Sequence, residues 1–492
     1  MLYHKSVGTI IAARFYIKLS ARFGEREYMQ KPSRLPDALG AYAQRQVARF
    51  HMPGHKGRGM AGFMRPELSQ WDITELSFSD NLHSPNTIIA DAQNAYAQCY
   101  GAKHTFFLVN GATAGILAVL LSLPEGSRVL LGRDCHRSAI SGIALAGLDC
   151  RFVQPAYEKT FGLWGCVTPE ALEQALKEEP ADAVLVTSPN YYGLCADIPA
   201  LSRIAHAHGA LLFVDAAHGA HFPFSDALPP TPAGCADAWV NSAHKTMNAL
   251  GQAAVLHVDK SMDVSAVQQA LSLVQTSSPS YLLLASLDWA LYTASQPRCW
   301  TQAVNVCHTL EKSMNGLLGL SVLPQSVAGS AGIAHLDPTR VTVDVSRRGI
   351  TGFAAQRALE ERDVYVEFSD VRRVTCICTP ADDSVWYEML LDGLCTLPYG
   401  TELPPQVHAQ YPAVLRIMPV REAVRAQKEV LPLAACAGKI AADSVGVYPP
   451  GIPLWTPGER ITEEAVAFLK IQQVLGAELF GAQENNVIVV RE

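Results

Sequence analysis

The sequence predicts an α/β fold, a large domain on a mostly parallel sheet followed by a smaller α+β carboxy-terminal domain, and three observations predict it. Between about residues 100 and 260, short apolar runs alternate with stretches of helical spacing, the pattern of parallel strands joined by right-handed crossovers. Several of those runs stop at a turn of glycine or small polar residues, as strands do where a sheet meets a ligand. From about Asp337 the composition shifts to a separate set of shorter strand and helix units. The expected divisions are 1–100 for an amino-terminal arm and helices, 101–335 for the large domain and 336–492 for the small one.

The chain has 492 residues, 49% hydrophobic and 17% charged, enough for a large core and two or three domains of a globular protein. A formal charge of −7 and the lack of a basic stripe exclude a nucleic-acid binder and agree with a cationic small-molecule substrate. Twelve cysteines without CxxC pairs indicate neither a zinc site nor a disulfide framework, so reduced, cytoplasmic thiols are expected. The apolar run Val7 to Leu19 is interrupted by Arg14 and Lys18 and is too short to span a membrane. Residues 1–28 read as a frayed helix or as the product of a start codon placed too early.

Taken in order, Leu35 to Val47 has helical spacing and precedes FHMPGHKG, where prolines and glycines fix a loop around His51, His55 and Lys56. No carboxylate or cysteine at ligand spacing accompanies the histidines, so no metal is expected there. Ile88 to Tyr100 predicts a helix and Thr105 to Val109 a strand, which leads to NGATAG, Asn110 to Gly115, and a second helix. A glycine-bracketed turn opening a helix offers free N–H groups and the positive helix end to a phosphate, so Gly111, Ala112 and Thr113 are candidates. Arg128 to Leu131 predicts a strand ending in GRDCHRS, and Ala183 to Thr187 a buried strand ending in SPNYYG. A helix from Ile198 to His208 crosses back to Leu211–Asp215, LLFVD, an apolar strand that stops at a carboxylate.

Thirty residues beyond Asp215 stands Lys245, in a turn with Ser242 and His244 that follows the short strand Ala238 to Val240. A lysine beside a hydroxyl and an imidazole at a strand end is what pyridoxal phosphate (PLP) chemistry requires. Its amine loses a proton readily in a desolvated pocket and can form a Schiff base with the cofactor aldehyde. Ser242 and His244 then face the phosphate, and Asp215 is placed to keep the pyridine nitrogen protonated. After a further strand, Ala253 to Val258, comes the hydroxyl-rich turn QTSSPSY before a helix from Leu282 to Ala294. In the small domain the pattern predicts strands Arg340 to Val345 and Thr375 to Cys378 and helices Gly352 to Glu361 and Arg421 to Leu431. Between them Glu367 and Asp370 could meet the cationic end of a substrate.

DAAHGAHF from Asp215, with SAHKT from Ser242, resembles the fold-type-I PLP enzymes. More narrowly the chain is similar to the ornithine/lysine/arginine decarboxylase family in its short bacterial form without an amino-terminal wing domain. FHMPGHKG and the proline loop Val447 to Pro453 with Pro457-Gly-Glu459 match as well, and the similarity runs from about Pro32 to the end. The resemblance implies PLP-dependent decarboxylation of arginine, lysine or ornithine, a cytoplasmic role in polyamine metabolism, and a homodimer with shared sites, a higher oligomer being left open. It also implies that His136 stacks on the cofactor ring, that His218 joins the cofactor-binding residues, and that Thr276 and Ser278 reach a neighbouring subunit's phosphate. DITE from Asp72 and DNLHSP from Asp80 would line the entrance, and Ala112 departs from the Ser or Thr usual at its position. The same fold also carries aminotransferases, carbon–sulfur lyases and catalytically silent relatives. Arg372, Arg373 and Arg416 keep a transaminase open because that reaction usually needs an arginine for the α-carboxylate.

Overall fold

A computed structural model of the chain describes residues 34–44, 66–400, 414–448 and 451–491. FHMPGHKG and residues 1–28 lie outside these, as do Pro449 and Pro450 of the proline loop. The large sheet has seven strands: β1 (His104–Leu108), β2 (Arg128–Gly132), β3 (Asp149–Val153), β4 (Ala183–Thr187), β5 (Leu211–Asp215), β6 (Ala238–Asn241) and β7 (Ala254–Val258). They lie in the order β1-β7-β6-β5-β4-β2-β3. The run from β6 to β3 is parallel, and only β7 is antiparallel to its neighbours, β1 and β6.

The apolar runs are nearly continuous because the sheet is covered on both faces. Val184 and Val186 of β4 pack with Val214, Trp239 and Val255 in one core. The alternate residues Ala183 and Leu185 pack with Phe213, Val240 and Leu256 in the other. A Cβ on Gly115 would come within 2.8 Å of Val240 Cγ2 and 2.9 Å of Leu108 Cδ1. That glycine lets the helix Gly111–Leu121 press onto β1 and β6, which fixes its amino-terminal turn at the sheet edge. The edge strand β3, DCRFV, escapes sequence reading because Asp149 is exposed and Arg151 and Phe152 are half-buried, leaving no apolar run.

A four-stranded antiparallel sheet follows, ordered Ser321–Val322, Arg340–Asp344, Arg373–Ile377, Phe368–Ser369, with its own core under helices Cys299–Asn315, Gly352–Glu360 and Ser384–Cys395. Another core, with Leu454, Trp455 and Leu469 at its centre, lies nearer the carboxy terminus. The helix expected from Arg421 to Leu431 is corrected: it spans only Val420–Arg425, and Lys428–Pro432 is a strand paired antiparallel with Asn486–Val490. KEVLP has too few residues to show its period, and the partner strand from the chain end supplies the ladder that decides it.

Candidate active site

At the carboxyl ends of the parallel strands lies a cavity of about 280 Å³, lined among others by Gly111, Ala112, Thr113, Asp134, His136, Thr187, Asp215, His218, Ser242, His244 and Lys245. Asp215 ends β5, in register with Thr187 on one side and Val240 on the other. From Val240 the chain runs through Asn241 and Ser242 into the single helical turn Ala243–Thr246, which carries Lys245. Adjacent strands therefore bring the lysine and the carboxylate into one pocket. Asp215 is buried, and its Oδ1 accepts the Ala217 N–H at 3.1 Å.

Lys245 Nζ lies 3.0 Å from His218 Nε2 and 5.9 Å from the centre of the Tyr191 ring. Burial lowers the pKa of this amine, against the opposing pull of Asp215. Three imidazoles share the pocket, and burial lowers each pKa, that of His218 well below its ordinary value. His244 donates from Nδ1 to the Ala253 carbonyl at 3.0 Å, which leaves Nε2 with its lone pair. His136 caps the helix Arg137–Ala146 by accepting the Ser138 N–H on Nδ1, so its ring is held by the backbone of β2's exit loop.

The turn before Gly111–Leu121 has one amide already committed, since Gly111 N–H donates to the Gln252 carbonyl at 2.8 Å. Gly111 itself has φ +68°, which favours glycine. An anion at this helix end would therefore meet the N–H groups of Ala112 and Thr113 and the Thr113 hydroxyl. The carboxylate, lysine, imidazoles and helix terminus match the ring nitrogen, aldehyde, ring face and phosphate of PLP. Two buried oxygens in the lining, Thr187 Oγ1 and Asp134 Oδ1, lack a hydrogen-bond partner among the described residues, which is what a polar ligand would relieve. The residues present fit the cofactor.

Asp134 and Thr187 were not found in the sequence. Both stand at or just past the end of a parallel strand, and that position is the signal that could have found them. Burial pushes the Asp134 carboxyl up to about 7, and the Asp215 carboxylate adds to the push. A carboxyl raised from 3.8 holds its proton in the fold where the unfolded chain has released it, so stability falls as pH rises through 7. Between pH 6 and pH 8 the cofactor-free protein should lose about 1 kcal/mol from this group. Urea unfolding at the two pH values should show Asp134→Asn losing correspondingly less than the wild type.

Other expected residues lie elsewhere. Thr276 and Ser278 sit in an exposed turn outside this cavity, where their hydroxyls are 3.2 Å apart and the Thr276 carbonyl is 2.8 Å from His83 Nε2. Asp80 is buried and caps the start of Ile88–Tyr100, accepting from Thr87 N–H at 2.8 Å and Ile89 N–H at 3.1 Å. Asp370 is already partnered: it accepts from the Tyr192 hydroxyl at 2.6 Å and pairs with Arg373 at 3.1 Å. Glu367 is exposed, and its charge acts on Lys245, His244 and Arg340. Arg372 pairs with Asp344 at 2.9 Å, and Arg416 donates to the Pro457 carbonyl at 3.0 Å, so all three arginines considered for a transaminase have structural partners.

Among the described residues no group of three or more His, Cys, Asp or Glu is arranged to hold a metal. No helix among them is long and apolar enough to cross a membrane.

A family model described as "Orn/Lys/Arg decarboxylase, major domain" matches residues 33–324, and its "C-terminal domain" counterpart matches residues 408–485. An arginine decarboxylase of Bacillus subtilis is 32% identical over 485 residues, covering 94% of this chain and 98% of the relative. One from Bacillus cereus is 33% identical over 440 residues, 86% and 95% of the two chains. Among solved structures, lysine decarboxylase A of Pseudomonas aeruginosa superposes with a TM-score of 0.79 at 20% identity, covering 93% of this chain and 80% of that one.

Proposed function

We propose, from the premise that this chain belongs to the Orn/Lys/Arg decarboxylase family, that it is a PLP-dependent decarboxylase acting on L-arginine in preference to lysine or ornithine. Decarboxylation of a basic amino acid follows from the family; the choice of arginine is the finer step. It is supported by near-full-length similarity to arginine decarboxylases at 32–33% identity, against 22–23% for the lysine decarboxylases of Escherichia coli and Pseudomonas aeruginosa. The observation that carries the assignment of the site is the meeting of Lys245 and Asp215 in one cavity at adjacent strand ends.

When bound, PLP supplies a ring that takes up the electron pair left on the α-carbon as carbon dioxide departs. Asp215 would keep the ring nitrogen protonated, His136 would pack against the ring, and Ala112, Thr113 and Ser242 would hold the phosphate. Tyr191 and the neutral imidazoles keep the α-carboxylate's surroundings poor in water. Either Lys245 Nζ or His244, the latter only once its Nε2 has taken up a proton, would return a proton to the α-carbon. Glu367, exposed and near the lysine, is the carboxylate for the guanidinium end of the substrate.

The turn with Thr276 and Ser278 lies away from its own cavity, which supports a homodimer in which it completes the partner's phosphate site. Twelve free thiols support a reducing cytoplasm. Carbon dioxide release across L-arginine, L-lysine and L-ornithine tests the reading. Arginine should give a kcat/KM at least about tenfold above the others, a margin of about 1.4 kcal/mol. A preference for lysine or ornithine overturns the choice of substrate, and no release with any of the three overturns the activity.

A further inference from the structure

We propose that Arg340 is a positioning residue for Lys245: acting through His218, it fixes the proton distribution so that the lysine is presented as a neutral amine. The inference rests on Lys245 being the amine that takes up the cofactor. Arg340 opens a strand of the small four-stranded sheet, is 3% exposed, and is not among the residues lining the cavity. Its stem packs against the backbone at Gly193, where a Cβ would come within 2.7 Å of Arg340 Cβ. Its Nη2 stands 3.1 Å from His218 Nδ1, on the far side of the imidazole from Lys245.

A guanidinium has donors only, so Nδ1 of His218 must accept. A neutral imidazole that accepts on Nδ1 carries its one hydrogen on Nε2. That hydrogen points to Lys245 Nζ at 3.0 Å. An ammonium also has donors only, and placing one there would set N–H against N–H. A neutral amine accepts, and both contacts in the row Arg340 to His218 to Lys245 then run from donor to acceptor. A lysine that instead donated to Nε2 would need an imidazole stripped of both hydrogens, which is not available near neutral pH.

The charges facing the amine divide. Asp215 and Glu367 favour the ammonium, while Arg340 and burial disfavour it. His136 and His244 are held neutral by burial, and Tyr191 presents its ring. A neutral lone pair is what adds to an aldehyde carbon, forming the C–N bond with loss of one water. Arg340 thus readies Lys245 without touching it.

The test uses the full-length protein freed of cofactor. The pH dependence of Lys245 labelling by trinitrobenzenesulfonate, read by peptide mass spectrometry, gives the midpoint for the neutral amine. The pH dependence of PLP uptake, read by its visible absorbance, gives the same midpoint independently. Arg340→Met should raise both midpoints by about one pH unit or more, cutting labelling near pH 8 about tenfold. Arg340→Lys, which keeps a donor-only cation, should restore most of the shift. Unchanged midpoints in an Arg340→Met protein with a native circular dichroism spectrum overturn the inference. Should that variant not fold, ¹⁵N-histidine NMR of the wild type, with His218→Asn for assignment, decides. Hydrogen on Nε2 supports the inference and hydrogen on Nδ1 overturns it. PLP taken up at a residue other than Lys245 removes the reading of the lysine, and the inference with it; uptake at Lys245 with unmoved midpoints removes the inference alone.

Discussion

Lys245→Ala should lower carbon dioxide release by roughly 10³-fold or more, because it removes the amine proposed to bind the cofactor and one of the two groups proposed to return the proton. The visible absorbance of lysine-bound cofactor should vanish while the far-ultraviolet circular dichroism stays native. The fold should survive because Lys245 is only half-buried and its ammonium form is disfavoured where it stands. Its loss leaves the Nε2–H of His218 facing the cavity, where water can take the amine's place. Turnover within tenfold of the wild type would show that another residue carries the chemistry.

Glu459→Ala should cost about 3–5 kcal/mol of stability, the usual result of leaving one member of a buried ion pair without the other. Arg133 and Glu459 have side chains 4% and 2% exposed and meet through two parallel contacts of 3.1 Å. Arg133 Nη2 also donates to the Leu454 carbonyl at 2.6 Å, and Glu459 Oε2 accepts the Thr456 N–H at 2.6 Å. The pair ties the carboxy-terminal core to the loop that carries Asp134 and His136, so cofactor affinity should fall along with the urea midpoint. Adding Arg133→Met removes the stranded guanidinium and should recover most of the loss. A double variant as unstable as the single one would show that the carboxylate acts through Thr456 and the backbone alone.

The sequence was informative where one local rule was enough. LLFVD and AVLVT read as strands because burial on both faces demands apolar residues at every position. Gly111 marked its turn because a positive φ is needed there. Lys245, Asp215 and the Gly111 turn could be singled out because each follows an apolar run, and His136 because it resembles the family's stacking histidine; the fold gathers them into one cavity. DCRFV was passed over because an edge strand needs no apolar run, and KEVLP was taken for helix because its partner lies at the other end of the unit. Asp370 looked like a free carboxylate until Tyr192 and Arg373 were seen to occupy it.

By itself the sequence determined the family, the α/β architecture and the residue types available at each strand end. These depend on side-chain periodicity and on neighbours a few positions apart. Only the tertiary structure decided where the protons sit. Arg340 and His218 are 122 positions apart in the chain yet 3.1 Å apart in space, and Asp134 meets Asp215 only because β2, β4 and β5 lie side by side. A proton's position is set by burial and by the nearest donor or charge, and both come into being when distant segments close on one another.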